Sequence, residues 1–277
     1  MLKQYFLFAW RNLRKNKFFS VINIAGLAVG ITCTSLIFLW VEYCTDHNRI
    51  LPGSDEIYVV KNNQQFGNET LTFEQTCGPL GPAMMKEVSG FREVCRTLGA
   101  WNNMYTVGET SLTSSGLYAD SNFFRVFHFP IIEKTTEPFL NNNHQIAISL
   151  KMANAFFGNK SALGQTIRVN KKEDFIVSAV YDVPSANMDV QPACVMPLAG
   201  RFLNDAFNNT WSSWGETGMV TYATLHAHVS ADDINRQLKN LISEKTNHQI
   251  NQSVFLYPYI REGLYNNFVN GKEAKNE

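Results

Sequence analysis

Residues 18–41 read FFSVINIAGLAVGITCTSLIFLWV, twenty-four positions without a charged side chain, bounded by Lys17 and Glu42. Coiled as a helix at about 1.5 Å per residue, the run is roughly 36 Å long, against a hydrocarbon core of about 30 Å. Eleven of the residues from 21 to 41 are Val, Ile, Leu or Phe. Each favours insertion by about 0.3–0.6 kcal/mol, which together outweighs Asn23 and the small polar residues. Phe18 and Phe19 stand at one end, Trp40 and Tyr43 at the other, where aromatic rings favour the headgroup level. Two other readings compete. A buried helix of a soluble domain rarely runs so far without a charge. A cleaved signal peptide has an apolar core of about 7–15 residues closed by a small-residue site, whereas this run closes on Leu36-Ile37-Phe38-Leu39-Trp40. The stretch predicts a retained transmembrane helix.

Charge on either side of it sets an orientation. Lys3, Arg11, Arg14, Lys15 and Lys17 all precede the run, and no acid does. The positive-inside bias then places segment 1–17 in the cytoplasm and everything after residue 41 outside. The formal net charge of the 277-residue chain is zero, with 24 Lys+Arg and 24 Asp+Glu. Removing the first 41 residues leaves 19 cations against all 24 acids, a net of −5. A body of that sign does not track a phosphate backbone, so nucleic acid is excluded as an expected partner. A hydrophobic content of 45% with 17% charged residues is that of a folded domain rather than a disordered one.

Two details of the N-terminal fifth bear on partners. Gly26, Gly30 and Thr34 recur every four residues, a small-residue stripe that lets a second membrane helix approach closely. Glycine is common in membrane helices, so a simple anchor also accommodates the stripe. Upstream, Leu2, Phe6, Ala9/Trp10 and Leu13 fall on one helical face with Lys3, Arg11 and Arg14 around the rest. That pattern reads either as an amphipathic helix in the cytoplasmic interface or as a merely basic flank.

Beyond residue 41 the periodicity changes to short strands and modest helices, an α+β pattern. Strands are predicted at 56–60, 91–101, 219–229 and 252–260, and helices at 78–88 and 230–245, the latter capped at Ser230. The domain thus opens and closes with similar β-α-β units. Between them, 102–215 is richer in strands and turns, with strands at 166–169 and 174–183 and one helix at 149–157. The economical architecture is one α/β part built from 46–101 and 216–262, with a β-rich insert at 102–215. Together these make a domain over 42–265, followed by a polar tail at 266–277.

The chemistry-bearing patterns are missing. No GxxxxGK[ST], HExxH or GxSxG occurs, so neither a P-loop nor the common hydrolase constellations are expected. His226 and His228 would share a face of the predicted strand, but two histidines without a third ligand make a poor metal site. Asp182 and Asp189 flank Pro184, where capping a loop is a commoner task than acid/base work. Cys77 and Cys95 could pair only if the fold brought them together. No catalytic residue, metal or cofactor is expected.

Several stretches together resemble one family. WRNLRKNK (10–17) followed by VINIAGLAVG (21–30) is similar to the N-terminal signature of MacB/FtsX-type ABC-transporter permeases. GLYADSNFFRVFHFPII (116–132), IAISLKMANAFFGNKSALGQTI (146–167) and FIVSAVYDVPSANMDV (175–190) resemble successive runs of the same family. Ala179 stands where glycine is usual, and Met188 near a usual Ser-His. The resemblance implies a MacB-like periplasmic core domain, in which a porter subdomain carries an inserted sabre subdomain. It also implies a bacterial inner membrane and a separate ABC ATPase subunit that meets Arg11, Arg14, Lys15 and Lys17. The Gly26/Gly30/Thr34 face would pack on other permease helices or on a second permease copy within the lipid bilayer. Nothing after residue 41 is apolar enough to span, so the family's further membrane helices are expected outside this chain, as in a fragment or a short relative. The implied function is non-catalytic: motion from the ATPase is transmitted to the extracytoplasmic domain for efflux or for lipoprotein or peptide export. The alternative is a membrane-anchored sensor or binding module, which would show an apolar pocket with convergent polar groups. An extracytoplasmic enzyme has no supporting residues.

Overall fold

The computed structural model describes residues 2–15, 17–135 and 138–274. The chain divides into two compact units, 1–46 and 47–277. The first holds helices α1 (Leu2–Lys15) and α2 (Lys17–Thr45). The predicted span lies inside α2, which is long and apolar enough to cross a membrane and buries no residue of its own. The hydroxyls of Thr32 and Thr34 donate back to the carbonyls of Ala28 and Gly30 at 2.8 Å. Both polar groups are thus satisfied within the helix, as an apolar surrounding requires.

The second unit begins with strands β1 (Ile57–Phe66), β2 (Glu69–Phe73) and β3 (Gln75–Cys77), helix α3 (Leu80–Glu87), and the hairpin β4 (Phe91–Val107) and β5 (Thr110–Ala119). Next come α4 (Phe123–Val126), β6 (Ile131–Lys134), β7 (Gln145–Ser149), α5 (Leu150–Phe157), β8 (Thr166–Val169) and β9 (Glu173–Tyr181). Strand β10 (Cys194–Pro197), helices α6 (Leu198–Arg201) and α7 (Asp205–Trp211), β11 (Thr217–Leu225), α8 (Ala231–Leu238) and α9 (Leu241–Lys245) follow. The chain closes with β12 (Gln252–Pro258), α10 (Glu262–Tyr265), β13 (Phe268–Val269) and β14 (Lys272–Glu273).

One large sheet runs in the order β12-β1-β11-β4-β5-β10-β7-β9-β6. Strand β8 pairs with both β9 and β4, so β4, β5, β10, β7, β9 and β8 close on themselves. The ring joins five strands from segment 102–215 to β4, which starts at Phe91 ahead of that segment. Its β5–β10 and β7–β9 pairs are parallel and the others antiparallel. Parallel neighbours need long crossovers, and α5 with β8 supplies one of them. Tyr105, Ile146, Ile148, Ile167, Val177 and Cys194 belong to the apolar cluster on these strands. Gly116 leaves room there for two side chains, because a Cβ would sit 2.4 Å from the Tyr105 hydroxyl and 2.7 Å from Cys194 Sγ.

The terminal strands β1, β4, β11 and β12 carry α3, α8 and α9, and Leu80, Met84, Ile234, Leu238, Ile242 and Leu256 fill that layer. A third, aromatic cluster collects Phe123, Phe127, Phe129, Tyr181, Tyr222 and Tyr259, with Phe127 edge-on to Tyr222 and Tyr259 at 4.9 and 5.6 Å.

Several local expectations are corrected. The strand predicted at 219–229 ends at Leu225, and His228 sits in a turn at φ 69°, so His226 and His228 do not share a strand face. The helix predicted at 230–245 breaks into α8 and α9 around Asn240, and Ser230 makes no side-chain cap. Ser149 does cap α5, accepting from the Met152 amide. Cys77 and Cys95 are both buried free thiols. Within the segment expected as a solvated tail, Phe268–Val269 and Lys272–Glu273 pair as the β13–β14 hairpin, with Phe268 against Phe255 and Tyr257, and 275–277 lie outside the described residues. Strand β4 crosses residue 101 as one strand, bulged between Ala100 and Asn103.

Candidate functional site

His47 and Asn48 begin the second unit, with Asp46 between them and the end of α2 at Thr45. Asn48 has φ 62° and is 1% exposed. Asparagine tolerates that left-handed backbone better than most residues, and its side chain is saturated here. Its Nδ2 donates to Asp189 Oδ2 at 2.7 Å and to the Tyr259 carbonyl at 3.1 Å. Its Oδ1 accepts from the Asp189 amide at 2.8 Å, and its own amide donates to the Asn187 carbonyl at 3.1 Å. His47 adds two more links, Nδ1 to Asn187 Oδ1 at 2.8 Å and Nε2 to Asp189 Oδ1 at 3.0 Å. Its ring lies close to Gly263, where a Cβ would come within 2.3 Å of the imidazole.

These bonds form a clamp on three segments: 47–48, the run 185–190 between β9 and β10, and the turn 258–263 after β12. The last two are tied to each other as well, since the Tyr259 hydroxyl accepts from the Val190 amide at 3.3 Å. Beside the turn, Lys61 of β1 pairs with Glu262 at 2.8 Å, the side chains only 3% and 7% exposed. Lys61 Nζ also reaches Asn266 Oδ1 at 3.2 Å.

Electrostatics agree with this geometry. Partial burial of His47 opposes its charge, but the hydrogen bonds to Asn187 and Asp189 and the Asp189 carboxylate outweigh it and raise its pKa above the ordinary value. A protonated imidazole donates from both nitrogens, which suits its two oxygen partners. Glu262 is raised by burial, against the pull of Lys61.

His47 and Asp189 form an imidazole–carboxylate pair, but the other imidazole nitrogen meets an amide oxygen and no nucleophile. Burial pushes the thiols of Cys77 and Cys194 up to about 11 and about 12, which leaves little thiolate. Among the described residues no group of three His, Cys, Asp or Glu is placed to hold a metal ion.

The sequence-derived positions lie apart from this clamp. Gly26, Gly30 and Thr34 line one shallow groove on α2, with open space beside both glycines. Arg11, Arg14 and Lys15 are exposed on α1, with Arg14 over the Trp10 ring at 5.5 Å, and Lys17 is the first residue of α2. Asp189, read from sequence as a loop cap, is the centre of the clamp. His47 and Asn48 escaped notice because isolated polar residues after a membrane span carry no pattern. The one available signal was the family-like run 175–190 that holds their partners.

Residues 20–241 match the family model of the MacB-like periplasmic core domain. No curated protein matches the sequence significantly. Among solved structures, a domain of a candidate permease protein from Porphyromonas gingivalis is similar at TM-score 0.64 and 21% identity, covering 76% of this chain and 93% of that one. The periplasmic region of MacB from Actinobacillus actinomycetemcomitans follows at 0.54 and 15%, covering 74% and 90%. The extracellular domain of the noncanonic ABC-type transporter YknZ from Gram-positive bacteria gives 0.52 and 15%, covering 72% and 99%. At those identities the likeness is one of fold, whereas the family model spans most of the sequence, and the chain belongs to the MacB-like periplasmic core domain family.

Proposed function

We propose that this chain is a non-catalytic, permease-type part of an ABC transporter that passes motion from a separate cytoplasmic ATPase through α2 into an extracytoplasmic domain. The clamp at Asn48 carries the reading. It ties the first residues after α2 both to the turn after β12, within the porter-like part (46–101 and 216–262), and to Asp189, within the sabre-like insert (102–215). Displacement of the helix end then acts on both parts at once, and the bulge in β4 is the hinge between them. The work delivered outside is efflux, or export of a lipoprotein or peptide.

The cation cluster ahead of the span supports a cytoplasmic N-terminus. In that orientation Arg11, Arg14, Lys15 and Lys17 face the anionic headgroups and the ATPase. The Gly26/Gly30/Thr34 groove receives a helix of another permease part or of a second copy. The test is ATP turnover in nanodiscs. The chain alone is expected to show none, and the Arg11→Glu/Arg14→Glu pair to cut its stimulation of a co-reconstituted ATPase severalfold. Turnover that follows this polypeptide through purification, with a catalytically dead ATPase as control, would overturn the reading.

A further inference from the structure

Strand β5 is paired on both sides for only part of its length. Val195, Met196 and Pro197 of β10 lie beside Leu117, Tyr118 and Ala119, and the pairing ends where the Ala193 amide donates to the Ser115 carbonyl at 3.1 Å. From Ser114 back to Thr110 the strand has β4 on one side, in register from Asn103 to Val107, and, among the described residues, no strand on the other. Backbone groups alternate sides along an antiparallel strand, so Thr113 and Ser111 point theirs the same way as Ser115, toward the open side. Both residues are exposed. An unpaired edge of this kind is a template for another strand.

The open edge faces a groove of about 650 Å³. Leu112 to Ser115 form one wall, the start of α5 a second, and the run 182–193 a third. Small side chains such as Ala155, Ala186 and Ala193 leave room in it, while Met152 and Val183 offer apolar contact. The charged side chains lining it are one cation, Lys151, and one acid, Asp182, so the groove is neutral overall. That balance suits an uncharged main chain and disfavours a polyanion. A strand laid against Thr113 and Ser111 would continue the line of β10, extending a pairing already present in the fold.

We propose that this groove binds an extended peptide segment of a partner polypeptide by strand addition to β5. Thr113 and Ser111 supply the main-chain hydrogen bonds, and the space beside Met152 and Ala155 takes alternate side chains. The occupied edge would span about five residues, or roughly 17 Å. The inference does not depend on how motion reaches the domain.

The test uses the full chain in nanodiscs and a phage-displayed random heptapeptide library, with the enriched peptides synthesised and their binding read by fluorescence anisotropy. Thr113→Pro removes one edge donor and should weaken binding about tenfold, the equivalent of one hydrogen bond, whereas Thr113→Val keeps the backbone and should bind as the parent does. Ala155→Trp fills the groove from an exposed helix position and should abolish binding whether or not the proline variant folds. The Thr113 amide should also exchange more slowly with peptide bound. No enrichment over empty nanodiscs, or equal affinity for the parent and Ala155→Trp, would overturn the proposal.

Discussion

Asn48 combines a left-handed backbone with a buried side chain that bonds Asp189 at both its carboxylate and its amide. Alanine at that position would lose the bonds to a carboxylate and add backbone strain, at a cost of about 3 kcal/mol. Glycine would lose the same bonds without the strain, so Asn48→Gly should be less destabilising than Asn48→Ala by about 1 kcal/mol in denaturant unfolding. Equal losses would show that the backbone there is unstrained. His47 adds a pH dependence of definite sign. Its folded pKa is raised, so its contribution is complete below the unfolded value of about 6.5 and is lost as pH rises through the raised folded value. The stability gap between the parent and His47→Ala should therefore narrow as pH is raised from 5.5 to 8.5. Asp189 is the carboxylate that pairs with the ring. Comparing variants that share it isolates the imidazole.

At the scale of elements, β8 and α5 were legible in the sequence because short-range periodicity is a local signal. Closure of the ring was not, since it depends on β8 also meeting β4, which is distant in sequence. The break between α8 and α9 and the end of β11 before His226 were also missed, because a continuing apolar period does not reveal where a backbone turns. The ring's tightness gives a prediction. Gly116→Ala pushes a methyl group into the Tyr105 hydroxyl and Cys194 and should cost about 1–3 kcal/mol by overpacking, read as a lower denaturant midpoint. Helix α2 gives the opposite case. Nothing lies within 4 Å of a Cβ at Gly30, so Gly30→Leu should leave the domain's unfolding unchanged. It should nevertheless weaken co-purification with partner membrane helices, because bulk on that face holds backbones apart. Unchanged co-purification would make the stripe ordinary lipid-facing sequence.

For the whole molecule, the charge asymmetry and the apolar run announced a membrane helix ahead of a folded domain, and the joint motifs announced the family. The clamp could not be read, because it assembles residues from positions 47–48, 187–189 and 259–263 whose identities are ordinary and whose meaning is their meeting. Transmission through that meeting point is the central claim, and a distance measurement tests it most directly. Spin labels are placed at Thr110→Cys, on the tip of the β4–β5 hairpin, and Lys239→Cys, between α8 and α9, with Cys33 and Cys44 changed to Ser. The labelled chain is reconstituted with its ATPase, and pulsed dipolar spectroscopy reads the distance in the nucleotide-free and ATP-trapped states. The distance distribution should shift between the two states in the parent clamp and stay fixed in Asn48→Gly, while ATP hydrolysis continues in both. An identical distribution in the two states of the parent clamp, or a full shift in Asn48→Gly, would contradict the account.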